Sequence, residues 1–181
     1  MSASAPMPAA LQSLLDREAI RDCLLRYCRG IDRCDEAALR SAYWEDATDC
    51  HGAWNGSAAG FIAQALPRLR QGGRRVHQIT NVLIELHGDV AAVESSFFAL
   101  QATAAQPDRE TFLCGRYVDR FERRGGEWRV AARTVVYDWI EERTRPELAQ
   151  EDAALPTGWR APNRAASSCA NSGRVRSSIQ S

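Results

Sequence analysis

The chain has 181 residues, 45% hydrophobic and 25% charged, a composition typical of one globular domain that can bury a sizeable core. Its 23 basic and 23 acidic residues cancel, so no overall field would attract nucleic acid or an anionic membrane. The six cysteines form no CxxC pair and no zinc-type spacing with histidine. We expect neither a membrane span, because no apolar run approaches the roughly 18–20 residues that a span needs, nor a secretory signal. We therefore expect a cytoplasmic protein without a structural zinc site.

The sequence of the N-terminal third predicts helices. An Ala/Ser/Pro-rich lead over residues 1–11 is expected to be loosely held. From Ser13, apolar residues recur at helical spacing, which predicts a helix of about five turns that ends near Gly30. Asp32 then falls on or just past the last turn. Two further helices are expected, over residues 36–43 and 57–71.

The sequence of the following part of the chain predicts a β-sheet. Four strand-like runs cover residues 75–86, 90–103, 110–123 and 127–140. Glycines in two of the intervening turns supply the positive φ angles that tight hairpins require. Helices followed by a long meander predict an α+β domain over residues 12–141 with an antiparallel sheet, curved so that a pocket remains beside the first helix. Residues 142–181 are predicted to form a tail whose last part is disordered.

His77 stands in the run RRVHQITNVLIEL, which otherwise reads as a buried strand. Strand alternation places it on one face with Ile79, Asn81 and Leu83. From this strand alone, a hydrogen-bonded core histidine is the better interpretation. A catalytic base is the alternative.

Arg133 lies in the middle of the last strand, between Ala131 and Val135 on its own face. A guanidinium is almost never buried without an anion, because the desolvation cost is several kcal/mol. We expect its partner to be a carboxylate such as Asp32 or Glu94, or a bound ligand. These interpretations are equally open.

Asp32 is a candidate partner for the histidine. A carboxylate on the second ring nitrogen of an imidazole fixes the tautomer and stabilises the cation that forms when the ring takes a proton. From this residue alone, an ordinary helix-end or turn residue is the better interpretation, since Cys34, Asp35 and Glu36 follow closely.

Three segments together resemble the SnoaL-like branch of the NTF2-like superfamily: IRDCLLRYCRGIDRCDEAALRSAYWEDA, RRVHQITNVLIEL and GRYVDRFERRGGEWRVAARTVVYDW. Within that branch they are most similar to the group containing scytalone dehydratase, bile-acid 7α-dehydratase and hexachlorocyclohexane dehydrochlorinase. The resemblance covers roughly residues 13–140.

The resemblance implies a cone-shaped α+β barrel, with N-terminal helices packed in a curved, mostly antiparallel sheet. It also implies a cavity that holds a dyad of His77 and Asp32, assisted by Tyr27 and Arg133. An ideal helix would point Tyr27 and Asp32 about 140° apart, so a shared cavity would require the helix to unwind near Gly30.

The implied activity is that of a lyase without metal or cofactor, of the dehydratase or dehydrohalogenase type. The substrate would be a small cyclic hydrophobic molecule that resembles a steroid, terpenoid or polyketide. Isomerisation, polyketide cyclisation and a non-catalytic binding or assembly role stay open. Candidate substrate contacts, which core packing explains equally well, are Tyr43, Trp44, Trp54, Phe61 and Phe97.

Two further expectations concern the surface. Asp46, Asp49 and His51 are close in sequence, but they flank a predicted turn without a fixed ligand register, so a solvated loop is expected there instead of a metal site. The sheet carries more apolar positions than one concave face can cover. This favours a homo-oligomer, either a dimer or a trimer.

Overall fold

The computed structural model of the chain describes residues 7–102 and 108–144. The described residues belong to one compact unit, Met1–Glu147. The second unit, Leu148–Ser181, and most of the predicted tail are not among the described residues. Across the described ranges, no helix has the length and apolar character needed to cross a membrane.

Three helices occur in the described ranges. The Asp35 and Ser57 side chains cap the second and third helices by accepting hydrogen bonds from backbone N–H groups of their first turns. The first helix begins four residues before Ser13, so the end of the segment expected to be a loose lead is helical. The bounds are α1 (Ala9–Arg33), α2 (Glu36–Ser41) and α3 (Ala58–Gln71).

The six strands of the described ranges form a single mixed sheet in the order β2-β1-β6-β5-β4-β3. β1 pairs with β6 in parallel, and every other neighbouring pair is antiparallel. The predicted α+β class and the four long strands are confirmed. The bounds are β1 (Tyr43–His51), β2 (Trp54–Ser57), β3 (Arg75–His87), β4 (Val90–Ala102), β5 (Arg109–Arg124) and β6 (Glu127–Thr144).

The curved sheet wraps around α1, which contacts β3 and β6, while α3 contacts β1 and β2. Apolar residues at helical spacing on α1 bury one face of that helix against the concave side of the sheet. This arrangement places the end of α1 beside the beginning of β3. Large buried side chains at the contact include Ile20, Leu24, Tyr27, Ile31, Tyr117 and Phe121.

The end of α1 differs from the expectation. The helix passes through Gly30 without unwinding and closes at Cys34, whose φ of 52° is left-handed. A Cβ at Gly30 would lie 2.7 Å from both the backbone nitrogen and the Cβ of Leu39. The glycine therefore allows α2 to pack closely on α1 instead of breaking the helix, and Asp32 lies in the last helical turn.

A bulge in β3 changes which residues face inward. The pairing with β4 shifts between Thr80 and Leu83, and Asn81 has a φ of 50°. His77 shares the inner face with Ile79, but beyond the bulge Asn81 and Leu83 are exposed. The expected common face for His77, Asn81 and Leu83 is therefore wrong, because one extra residue reverses the alternation.

Candidate active site

His77 and Asp32 form the first part of the site. Oδ1 of Asp32 lies 2.7 Å from Nδ1 of His77, and Oδ2 accepts a hydrogen bond from the His77 backbone N–H at 3.0 Å. The two side chains are only 7% and 11% exposed. Because the carboxylate accepts the proton on Nδ1, the neutral ring carries its free lone pair on Nε2. The structure thus brings together the two residues that the resemblance pairs.

The side chain of Arg75 forms hydrogen bonds to the elements that carry Asp32 and His77. Its guanidinium donates to the Ile31 carbonyl at 3.4 Å, to the Cys34 Sγ at 3.1 Å and to the Leu69 carbonyl. The end of α1, the end of α3 and the beginning of β3 are therefore joined two residues before His77. This cross-link holds Asp32 in position relative to His77.

Arg133 has a partner that was not expected from the sequence. Its Nε and Nη2 donate to the two carboxylate oxygens of Asp119 at 2.8 and 2.7 Å, and both side chains are fully buried. Asp32 and Glu94 are therefore not its partners, and Glu94 instead pairs with Arg116 on the exposed side of the sheet. Burial raises the pKa of the Asp119 carboxyl, and the positive charge of Arg133 opposes that shift.

Three tyrosines surround the guanidinium. The Cζ of Arg133 lies 4.1 Å from the ring centre of Tyr27, 4.2 Å from that of Tyr117 and 5.7 Å from that of Tyr43. Burial raises the pKa of each phenol, so all three stay neutral. We call Arg133, Asp119 and these three tyrosines the Arg133 cluster.

The Arg133 cluster and the His77–Asp32 pair are separate groups on one interior surface. Phe97 stacks on Tyr117, with ring centres 4.6 Å apart, and its partner on β3 is Ile79. Within the described residues, no hydrogen bond joins the two groups. Of the four residues expected in the catalytic set, Tyr27 and Arg133 thus lie together, and His77 and Asp32 lie together.

Asp49 and His51 lie in the interior, which differs from the expectation for them. Asp49 is 1% exposed on β1, opposite Arg133 in the parallel pairing, and accepts a hydrogen bond from the Tyr43 hydroxyl at 2.7 Å. The expected solvated loop is wrong for these two residues, although Asp46 is exposed and pairs with Arg124. Among the described residues, no group of three potential ligands is close enough to hold a metal ion.

Four of the five aromatic residues proposed as substrate contacts are buried or half-buried with the inner groups. Tyr43 belongs to the Arg133 cluster, Phe97 stacks on Tyr117 of that cluster, and Phe61 stacks on His51. Trp54 packs against Gly60, and its buried Nε1 has no hydrogen-bond partner within residues 7–102 and 108–144.

Trp44, the fifth proposed substrate contact, lies away from the other four. Its indole donates to the Glu122 carbonyl at 3.0 Å, and the guanidinium groups of Arg124 and Arg129 lie 5.1 and 4.8 Å from its ring centre. It is therefore beside the β5–β6 turn, far along β5 from the row that contains His77. The structure does not bring Trp44 to the other candidate contacts.

The sequence matches the SnoaL-like domain over residues 12–134. The chain belongs to the SnoaL-like family. Its long helix, curved sheet and inward-facing polar side chains agree with the cone-shaped fold of the NTF2-like superfamily, which contains that family. No curated protein matches the chain with significance.

Solved structures similar to this SnoaL-like domain include the hexachlorocyclohexane dehydrochlorinase LinA type 2, with a TM-score of 0.71 and 21% identity over 79% of this chain and 99% of that one. A scytalone dehydratase-like protein of Novosphingobium aromaticivorans has a TM-score of 0.66 and 17% identity, over 75% and 95% of the two chains. A variant of Rv3472 from Mycobacterium tuberculosis, a protein of unknown function, has a TM-score of 0.64 and 26% identity, over 74% and 78%. At their identities, the first two show a shared fold.

Proposed function

We propose that this SnoaL-like protein is a lyase that uses His77 as a general base on a small cyclic hydrophobic substrate and needs neither metal nor cofactor. The observation that carries the proposal is the 2.7 Å contact between Asp32 Oδ1 and His77 Nδ1 on the inner face of the sheet. A buried carboxylate that fixes a histidine tautomer is the arrangement from which an imidazole accepts a proton most readily.

The reaction begins at Nε2 of His77. This nitrogen removes an acidic C–H proton, and the negative charge of Asp32 stabilises the imidazolium ion that forms. A positioned base of this kind contributes roughly 10²–10⁴-fold to the rate of proton transfer. The electron pair of the broken C–H bond forms the new double bond and expels the leaving group.

Arg133 and Tyr27 supply positive charge and a phenol on the same interior surface. Asp119 accepts from Nε and Nη2 of Arg133, whereas Nη1 is buried and has no hydrogen-bond partner among the described residues. An unpartnered guanidinium nitrogen costs free energy unless an acceptor approaches it. We assign to it, with Tyr27, the stabilisation of the leaving group or of an enolate oxygen.

The proposed substrate contacts are apolar and aromatic. Phe97 lies between the two groups, and Tyr43, Trp54 and Phe61 line the region beside β1. Such a surface, with few polar groups at defined places, suits a cyclic hydrophobic molecule of the steroid, terpenoid or polyketide kind.

We further propose that the protein is a homo-oligomer, a dimer or a trimer. Large apolar side chains are exposed on the outer face of the sheet, where a globular monomer rarely keeps a contiguous apolar patch. These side chains are Val76, Phe98, Leu100, Val118 and Trp139.

The test uses a decalone that carries a para-nitrophenoxy group β to its carbonyl. A lyase releases coloured nitrophenolate and an enone, and NMR of the product distinguishes this from isomerisation or cyclisation. We expect release by the wild type and by H87Q, because His87 is exposed at the end of β3, and loss of release in H77Q. Equal release by H77Q and H87Q would overturn the proposal.

A further inference from the structure

Three buried polar atoms without a hydrogen-bond partner lie on one hairpin, formed by β1 and β2. They are Oδ1 of Asp49, Nδ1 of His51 and Nε1 of Trp54, and they make up three of the five such side-chain atoms among the described residues. Buried polar atoms are normally paired, because an unpaired one keeps the cost of its lost hydration. We call Asp49, His51 and Trp54 the hairpin subsite.

The pairing of β1 with β2 brings the three side chains together. His51 lies opposite Trp54 and Asp49 lies opposite Gly56 in the antiparallel register, so all three side chains share the inner face. The indole leans over Gly56, since a Cβ there would lie 3.2 Å from the Trp54 ring and 3.7 Å from its Nε1. The glycine thus leaves the space beside Asp49 to the indole N–H.

The atoms of the hairpin subsite do not pair with one another. Asp49 Oδ1 lies 3.6 Å from His51 Nδ1, which is too far for a hydrogen bond, and the other carboxylate oxygen accepts from the Tyr43 hydroxyl. The Asp49 side chain is fully buried, whereas that of His51 is 21% exposed. A small polar group can therefore enter past His51 and lie between these atoms.

The donors and acceptors of the hairpin subsite fit a neutral hydroxyl group. The Asp49 carboxylate accepts, the Trp54 indole donates, and His51 Nδ1 does either according to its tautomer. A hydroxyl gives its one proton to Asp49 and accepts from the other two. A carboxylate would add a third negative charge beside Arg133, whose strand neighbours are Asp49 and Asp119. A carbonyl has no proton for Asp49.

The hairpin subsite is remote from His77. Three strands separate β1 from β3, so four strand spacings of about 4.8 Å, roughly 19 Å along the curved sheet, lie between the two sites. Aromatic rings line this path, because the ring centre of Tyr137 is 6.2 Å from that of His51 and 6.0 Å from that of Phe97. A molecule that contacts both sites needs several fused rings between its reacting carbon and its hydroxyl.

We propose that the hairpin subsite binds a substrate hydroxyl group that takes no part in the reaction, at the end of the molecule remote from His77. This inference rests on the proposed lyase function and narrows its substrate class to hydroxylated polycyclic ketones. The hydroxyl donates to Asp49 Oδ1 and accepts from Trp54 Nε1. Asp49 and Trp54 are thus specificity-determining residues, because they fix which carbon of the ring system meets Nε2 of His77.

The experiment measures binding and does not depend on turnover. Calorimetric titration of the full chain compares dihydrotestosterone with its deoxy analogue, which lacks only the hydroxyl group at the opposite end of the four fused rings from the ketone. We expect the wild type to bind the hydroxylated steroid more tightly by roughly tenfold or more, since the analogue leaves the buried polar atoms unpaired.

Two variants remove one contact each. W54F keeps an aromatic ring against Gly60 and removes the indole N–H. D49N keeps an oxygen for the Tyr43 hydroxyl and turns its amide nitrogen toward the ligand, so the proton of the ligand hydroxyl loses its acceptor. We expect each variant to lose most of the roughly tenfold preference. Either variant decides the question, so a failure of one to fold leaves the other as the test.

The matched controls are W44F and D46N. Trp44 donates to the Glu122 carbonyl beside the β5–β6 turn, and Asp46 pairs with Arg124 in an exposed position. Both controls should keep the wild-type preference for the hydroxylated steroid.

The outcomes separate this inference from the lyase proposal. Equal affinity of the wild type for the two steroids would mean that water alone pairs with these atoms and would overturn the inference. Binding of neither steroid, or a preference that W54F and D49N retain, would also overturn it, and nitrophenolate release from the decalone would still support the lyase. Absence of that release with the preference intact would overturn the lyase function and leave a hydroxyl-binding site.

Discussion

Asp32 holds His77 at two atoms, the ring Nδ1 at 2.7 Å and the backbone nitrogen at 3.0 Å. One carboxylate thus fixes both the tautomer of the ring and the position of β3 relative to the last turn of α1.

Replacement of Asp32 by asparagine should preserve the shape of the side chain and remove its charge. The imidazolium would lose its stabilisation and the ring its enforced tautomer, so we expect base-catalysed exchange of decalone α-protons in deuterium oxide to slow by roughly 10²–10⁴-fold. D22N is the matched control, since Asp22 is exposed on the same helix. Unchanged exchange in D32N would show that the carboxylate does not assist the base.

Replacement of Gly30 by alanine should destabilise the domain. The new Cβ would lie 2.7 Å from the backbone nitrogen of Leu39, and backbone cannot move aside as a flexible side chain can. Overpacking costs about 1–3 kcal/mol, more than the gain of roughly 1 kcal/mol when alanine replaces glycine in a helix. Thermal unfolding should show a lower midpoint for G30A, whereas R29A, which changes an exposed neighbour, should unfold like the wild type. A higher midpoint for G30A would contradict the close packing of α2 on α1.

Replacement of Arg133 by methionine should lower the free energy of unfolding by about 3–5 kcal/mol, because Asp119 and Asp49 would remain buried without a cation. Chemical denaturation measures this loss. R116M is the control on the same pair of strands: Arg116 pairs with Asp138 in an exposed position, so its removal should change little. Equal effects of R133M and R116M would mean that the buried pair is not a stability element.

The class of fold could be predicted from the sequence because its signals are local. The glycines at 88, 125 and 126 have positive φ in the turns where hairpins were expected, and the apolar stripe of α1 is visible in the spacing of its residues. The contact between Asp32 and His77 followed from residue types and from the resemblance, since 45 residues separate the two.

The partner of Arg133 could not be predicted because it depends on a bulge. Counting back from the β5–β6 turn places Asp119 opposite Ala132. An extra residue at Ala131 shifts the register, so Asp119 instead pairs with Arg133. The burial of Asp49 could not be predicted for a related reason. Its strand, β1, pairs with β6, which is distant in the sequence, so no local sequence pattern indicates that Asp49 lies opposite Arg133.

Replacement of Phe98 by glutamate should test the proposed oligomer. Phe98 is 43% exposed on the outer face of β4, and a carboxylate buried at a subunit contact would carry a large desolvation cost. Light scattering after size exclusion should give an oligomeric mass for the wild type and a monomeric mass for F98E. L25E is the control, since Leu25 is an exposed apolar residue on α1. A monomeric wild type would contradict the proposal.

The role of His77 as the base is tested by the rate at which the wild type and H77Q exchange the α-protons of decalone in deuterium oxide. This measurement reports proton removal alone and does not depend on the leaving group. We expect exchange by the wild type and by H87Q, and a rate for H77Q that is lower by roughly 10²-fold or more. Exchange by H77Q at the wild-type rate would contradict the assignment of His77 as the base.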